Sequence, residues 1–171
     1  MIERTGLVTL RGNPITLVGT AVKEGDAAPG FIAVGNNLAP VDFSSFKGKV
    51  CLISSVPSLD TPVCDTVTRR FNERAAALGP DVVILTVSMD LPFAQSRWCA
   101  AAGVDAVVTL SDHKDASFGT SYGLLMKEVR LLARAVLVVD KDGIIRRYEL
   151  VKEIATEPDL DAALEAAAKL V

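Results

Sequence analysis

Two apolar runs, KVCLISSV at residues 49–56 and DVVILTVSM at 81–89, constrain what this chain can fold into more than any other feature. Neither alternates polar with apolar residues, so neither suits a strand with one wet face. Both read as strands covered on both sides, as in parallel sheets. Between them Val63, Val67 and Phe71 recur every four residues and Ala75 and Leu78 continue the stripe, which is the spacing of one helical face. Strand, helix and strand in that order make a βαβ unit, and parallel strands need such a crossover.

The remaining segments extend this unit. LVTLRGNPITLVG has two β-rich arms around Arg11-Gly12-Asn13-Pro14 and reads as a hairpin. A short FIAV strand follows a turn-rich stretch, LPFAQSRWCAAAG reads as a helix, VDAVVTLS as a strand and SFGTSYGLL as a short helical or turn segment. RAVLVVDKDGIIRRYELV has two arms around Lys141-Asp142-Gly143, where Asp-Gly suits the positive φ values of a tight turn. EPDLDAALEAAAKL closes the chain as a capped, alanine-rich helix. The predicted whole is one domain over residues 1–171, with about residues 1–19 as an N-terminal hairpin extension. Its class is α/β, a thioredoxin-like mixed central sheet flanked by helices.

Size and charge narrow the function classes. At 171 residues, half of them hydrophobic, the chain can bury a core without staples. A net charge of −3 and an isoelectric point near 5.2 give no general reason to bind nucleic acid or an anionic membrane. The charged, turn-forming start MIERTGLVTLRGNP does not read as a signal peptide, and no run approaches a membrane span, so the expected address is cytoplasmic. Three cysteines without a CxxC pair do not suggest a structural disulfide framework. A disulfide here would be transient and catalytic.

The stretch PSLDTPVC, residues 57–64, carries the sharpest chemical signal. Thr61 suits the N-cap of the following helix, and Pro62 suits its first position because the missing N–H would have no intrahelical partner. Cys64 then falls in the first turn, where orphan N–H groups and the positive end of the helix dipole favour the thiolate over the thiol. The alternative is that Cys64 is one more small buried hydrophobe, a common fate of free cysteine.

Pro57, Thr61 and Cys64 also fit the peroxiredoxin pattern of proline, three residues, threonine, two residues, cysteine. With DLPFAQSRWC, ARAVLVVD and TEPDLDAAL in that order, the chain resembles the thiol peroxidase subfamily of the peroxiredoxins, of the atypical two-cysteine type, over nearly its whole length. The resemblance implies a thiol-dependent peroxidase that reduces hydrogen peroxide and alkyl hydroperoxides in antioxidant defence. It makes Cys64 the peroxidatic cysteine. Thr61 then orients thiolate and peroxide, Pro57 shields the site from water, and Arg134 stabilises charge on the oxygens.

By position alone Cys99 is a core cysteine on a helix, Thr61 only a cap, Pro57 the end of a strand and Arg134 a surface charge before a strand. The resemblance instead makes Cys99 the resolving cysteine, joined to Cys64 within one chain. Two intact helices would keep such sulfurs apart, so the pairing implies local unwinding. The resemblance also implies thioredoxin as reductant and a homodimer, with no cofactor. Cys51, inside the first apolar run, is read as packing only, and His113 as a solvated loop residue. Three cysteines and one histidine lack the close ligand spacing of a zinc site.

Two other functions are open at this point. A disulfide oxidoreductase would carry CxxC where this chain reads CDTV. A redox sensor or chaperone could use the same cysteine pair once without turnover.

Overall fold

A computed structural model describes residues 1–171. Its strands are β1 (Glu3–Leu10), β2 (Asn13–Val18), β3 (Ile32–Val34), β4 (Pro40–Asp42), β5 (Val50–Ser55), β6 (Val82–Ser88), β7 (Val108–Ser111), β8 (Leu125–Met126), β9 (Ala135–Val139) and β10 (Ile145–Leu150). The helices are α1 (Pro62–Leu78), α2 (Pro92–Ala102), α3 (Ser117–Ser121) and α4 (Leu160–Ala168), with a 3-10 turn over Phe43–Phe46.

The first apolar run becomes β5, an interior strand of a seven-stranded sheet of order β10-β9-β5-β6-β7-β3-β4. It pairs parallel with β6 and antiparallel with β9, and β6 pairs parallel with β7. All six β5 residues are buried. Exposing Leu52 or Ile53 at an edge would forfeit roughly 1.5 to 3 kcal/mol apiece, which drives this run to the middle. Its residues alternate between faces: Val50 and Leu52 pack with Val67 and Phe71 of α1 and Leu160 and Leu164 of α4. Cys51 and Ile53 pack on the other face with Phe31, Phe118, Tyr122 and Leu137. A fold of this shape, a mixed sheet with helices on it and the α1 helix after the central strand, is thioredoxin-like.

The N-terminal hairpin turns through only two residues, Arg11 (φ 50°) and Gly12 (φ 79°), so Asn13 and Pro14 already belong to β2. Positive φ at both central residues matches the twist of the flanking strands. β2 also pairs with β8, placing Leu17 opposite Met126. Val8, Ile15 and Leu17 enter the larger core cluster, so the hairpin is packed into the protein rather than appended to it.

One carboxylate pins the hairpin turn. Glu153 accepts hydrogen bonds from Thr9 Oγ1 at 2.7 Å and from the N–H groups of Arg11 at 2.9 Å and Gly12 at 3.1 Å. The Thr9 hydroxyl foremost, then the backbone donors, hold its carboxyl down at about 2, below its ordinary 4.5. A depressed value means the charged form is the bonded one, so this contribution is present above pH 4.5 and is lost as pH falls toward about 2. Amides Arg11 and Gly12 should therefore lose hydrogen-exchange protection across that window. Glu153→Gln should show the loss already at neutral pH, and equal protection in the variant would remove Glu153 from this role.

Candidate active site

The site forms where β5 ends and α1 begins. Val56 continues the sheet by donating its N–H to the Val87 carbonyl at 3.0 Å, and the chain then turns through buried Pro57. Thr61 has extended backbone (φ −85°, ψ 146°) and caps α1, with Pro62 at the first helical position as its fixed φ predicts. The Thr61 hydroxyl accepts the Cys64 N–H at 3.4 Å and donates to the Ser58 carbonyl at 3.1 Å. Pro57, Thr61 and Cys64 are thus brought together by one short loop and its cap.

Cys64 has no exposed surface and packs with Val56 and Leu59, while Trp98 of α2 leans on this small cluster. Behind it the Thr68 hydroxyl donates to the Cys64 carbonyl at 2.8 Å. A reagent reaches the sulfur only when the covering residues part. Next to it an open groove is lined by Leu59, Thr61, Pro62, Asp65, Arg69 and Trp98.

Arg134 lies immediately before β9, whose Ala135 is paired with Ser55 at the end of β5. It is 2% exposed, not the surface charge its position alone suggests. Its Nε donates to the Ile154 carbonyl at 2.7 Å, while Nη1 is buried without a partner. A buried cationic donor left unpaired is costly unless a ligand completes it.

Cys99 stands apart. It is half-buried on α2, and its Sγ lies 3.7 Å from Thr109 Oγ1 on β7. Thr109 gives its proton to Asn36 Oδ1 at 3.1 Å, so the Cys99 thiol is the donor to Thr109. It packs with the helix-side cluster, whereas Cys64 belongs to the cluster at the loop. All three cysteines are free and both helices are intact. Cys51 is 2% exposed, and burial pushes its thiol up to about 12 against a smaller opposing effect of Lys49, so it is a poor nucleophile.

One residue stands out only in three dimensions. Asp90, between β6 and α2, accepts from Ser58 Oγ at 2.7 Å, the Leu59 N–H at 2.8 Å and Ser88 Oγ at 2.7 Å. It therefore ties the loop before Cys64 to the sheet. His113 is in the loop expected of it but is half-buried, its Nδ1 2.8 Å from Ser111 Oγ. The sequence carries no signal for the Asp90 contacts beyond an acidic residue next to a turn.

A thioredoxin-like sheet with a capped cysteine in the first turn after its central strand defines a thiol-based redox protein. The Redoxin family model matches residues 23–164. A thiol peroxidase of Halalkalibacterium halodurans is 54% identical over 160 residues, covering 94% of this chain and 96% of that protein. One from Bacillus subtilis is 52% identical over 164 residues, covering 96% and 98%. Among solved structures, a peroxiredoxin-like protein from Aquifex aeolicus superposes with a TM-score of 0.90 at 40% identity, over 98% of this chain and 99% of that one. A thiol peroxidase from Chromobacterium violaceum shares the fold, with a TM-score of 0.83 at 20% identity over 95% of both chains. The chain belongs to the Redoxin family, in its thiol peroxidase branch, and is a thiol-dependent peroxidase of the peroxiredoxin type.

Proposed function

We propose that this protein reduces hydrogen peroxide and alkyl hydroperoxides through Cys64, is resolved by Cys99 and is recycled by thioredoxin. The observation that carries the reading is Cys64 in the first turn of α1 with its N–H capped by Thr61. The Cys64 thiolate attacks the terminal peroxide oxygen, the O–O bond breaks, and the leaving oxygen takes a proton to become water or alcohol. Cys64 is oxidised to the sulfenic acid. The unpartnered Arg134 Nη1 is suited to the charge that spreads over the oxygens, and Thr61 turns its hydroxyl from Ser58 toward the substrate. Pro57 brings no N–H to the buried loop and so attracts no water to it.

The Cys99 thiol then displaces hydroxide from Cys64, forming the disulfide and releasing water. A thioredoxin dithiol reduces that disulfide by exchange and is itself oxidised. The chain acts as a single domain over residues 1–171 in the cytoplasm. Leu91 and Phe93, 54% and 68% exposed at the start of α2, supply apolar surface that a second copy covers in a homodimer.

Peroxide-dependent NADPH oxidation with thioredoxin and thioredoxin reductase tests the reading. Turnover with both hydrogen peroxide and cumene hydroperoxide is expected; oxidation at the rate seen without the protein contradicts it. Asp90→Asn should slow the peroxide step by roughly 10- to 100-fold, because loosening a reacting group by even an ångström costs that much. Stopped-flow oxidation of the reduced variant reads this directly, and a native rate would show that the loop holds its shape without the carboxylate.

A further inference from the structure

Asp65 follows Cys64 in the chain and Trp98 precedes Cys99, and these two neighbours are bonded to each other. Trp98 Nε1 donates to Asp65 Oδ1 at 3.0 Å, and the other Asp65 oxygen accepts from Arg69 Nε at 2.9 Å. Arg69 Nη1 donates to the carbonyl of Ala102, the last residue of α2, at 3.1 Å. Its guanidinium carbon sits 5.8 Å from the centre of the Trp98 ring. The same ring packs on the cluster holding Cys64 and on the one Cys99 leans against.

Disulfide geometry requires Cα atoms roughly 4.4 to 6.8 Å apart, with the two side chains facing one another. Here Cys64 faces Val56 and Leu59, and Cys99 faces Thr109. Both must leave these places to join, and the backbone that moves is the backbone carrying Asp65 and Trp98.

We propose that Asp65, Trp98 and Arg69 form a latch between α1 and α2 that sets how fast the Cys64 sulfenic acid is resolved. The inference rests on the Cys64–Cys99 pairing proposed above. Closed, the latch keeps both cysteines on intact helices; open, it releases them toward each other. They are positioning residues, and they act on the branch that follows the first oxidation. A sulfenic acid that waits meets a second hydroperoxide, which transfers one oxygen to give the sulfinic acid and leaves as water or alcohol. A tight latch therefore favours inactivation at high peroxide.

Trp98→Phe removes the N–H donor without changing charge, and Asp65→Ala removes the acceptor. After one equivalent of hydrogen peroxide, rapid quenching with thiol alkylation and mass mapping follows disulfide formation. Each single variant should form the disulfide about tenfold faster, the scale of losing one hydrogen bond to a charged group. The double variant should be no more than about twofold faster than either single, because both remove the same bond. Asp65→Asn, which keeps an acceptor oxygen for the indole, should return most of the native rate. The sulfinic fraction under excess peroxide should fall in step.

Trp98 is the only tryptophan, so in the native protein its emission should change with the same rate constant as disulfide formation. Unchanged or slower resolution in both single variants, fully multiplicative effects in the double, or native emission that ignores disulfide formation would each overturn the latch. Cys99→Ser run alongside separates the two ideas: if it turns over normally, the pairing has failed, whatever the latch variants do.

Discussion

Cys64→Ser should lose peroxide consumption by a factor on the order of a thousand or more, the scale seen when an enzyme loses its nucleophile. A serine hydroxyl is not ionised at neutral pH and cannot attack the O–O bond as a thiolate does. The fold should survive at some cost. Residue 64 is fully buried against Val56 and Leu59, so the new hydroxyl needs a partner, and about 1 to 3 kcal/mol is at stake if it finds none. A carbonyl of the preceding turn can supply one. Circular dichroism and the NADPH-coupled assay check the two halves separately, and substantial remaining turnover in a folded variant would move the nucleophile elsewhere.

Cys99→Ser should separate one oxidation from many. Serine keeps a hydroxyl next to Thr109 Oγ1, so α2 stays seated on β7. Cys64 and its cap are untouched, and the variant should consume one equivalent of peroxide at close to the native rate. Thioredoxin-linked turnover should then fall by roughly a hundredfold or more, because no second thiol displaces the hydroxide, a loss comparable to removing a positioned reaction partner. Mass spectrometry should find sulfenic and then sulfinic acid on Cys64. Native turnover in this variant would leave a one-cysteine mechanism.

The parts legible in sequence are those governed by local chemistry. Thr61 and Pro62 mark the start of α1 because capping and a fixed φ are properties of single residues, and the helix spans Pro62–Leu78 as its apolar stripe predicts. β5 and β6 are legible because burial on both faces leaves no polar alternation to confuse them. What was hidden depends on partners far away in the chain. β8 is only two residues, and it exists as a strand because β2 lies beside it. Residues 40–42 carry no strand pattern of their own, and they become the edge strand β4 because they pair with β3.

The candidate site divides along the same line. Cys64 and Thr61 announce themselves by spacing. Arg134 does not, because its burial is created by the segment around Ile154, whose carbonyl it bonds. Asp90 gains its meaning from Ser58 and Leu59, brought to it by the ends of β5 and β6. The Asp65–Trp98 bond needs α1 and α2 side by side, which no periodicity in either helix encodes. Total burial of Cys64, open as an alternative in the sequence, is completed by partners outside α1: Val56 and Leu59 of the preceding segment and Trp98 of α2.

The proposed cycle requires that one peroxide convert Cys64 and Cys99 into a disulfide within one chain. Treating the reduced native protein with one equivalent of hydrogen peroxide, alkylating the remaining thiols and mapping the digest by mass tests it most directly. A Cys64–Cys99 peptide from monomer-sized material is expected, with Cys51 alkylated only after denaturation. A Cys64–Cys51 peptide, a bond between chains, or a stable sulfenic acid beside a free Cys99 would contradict it.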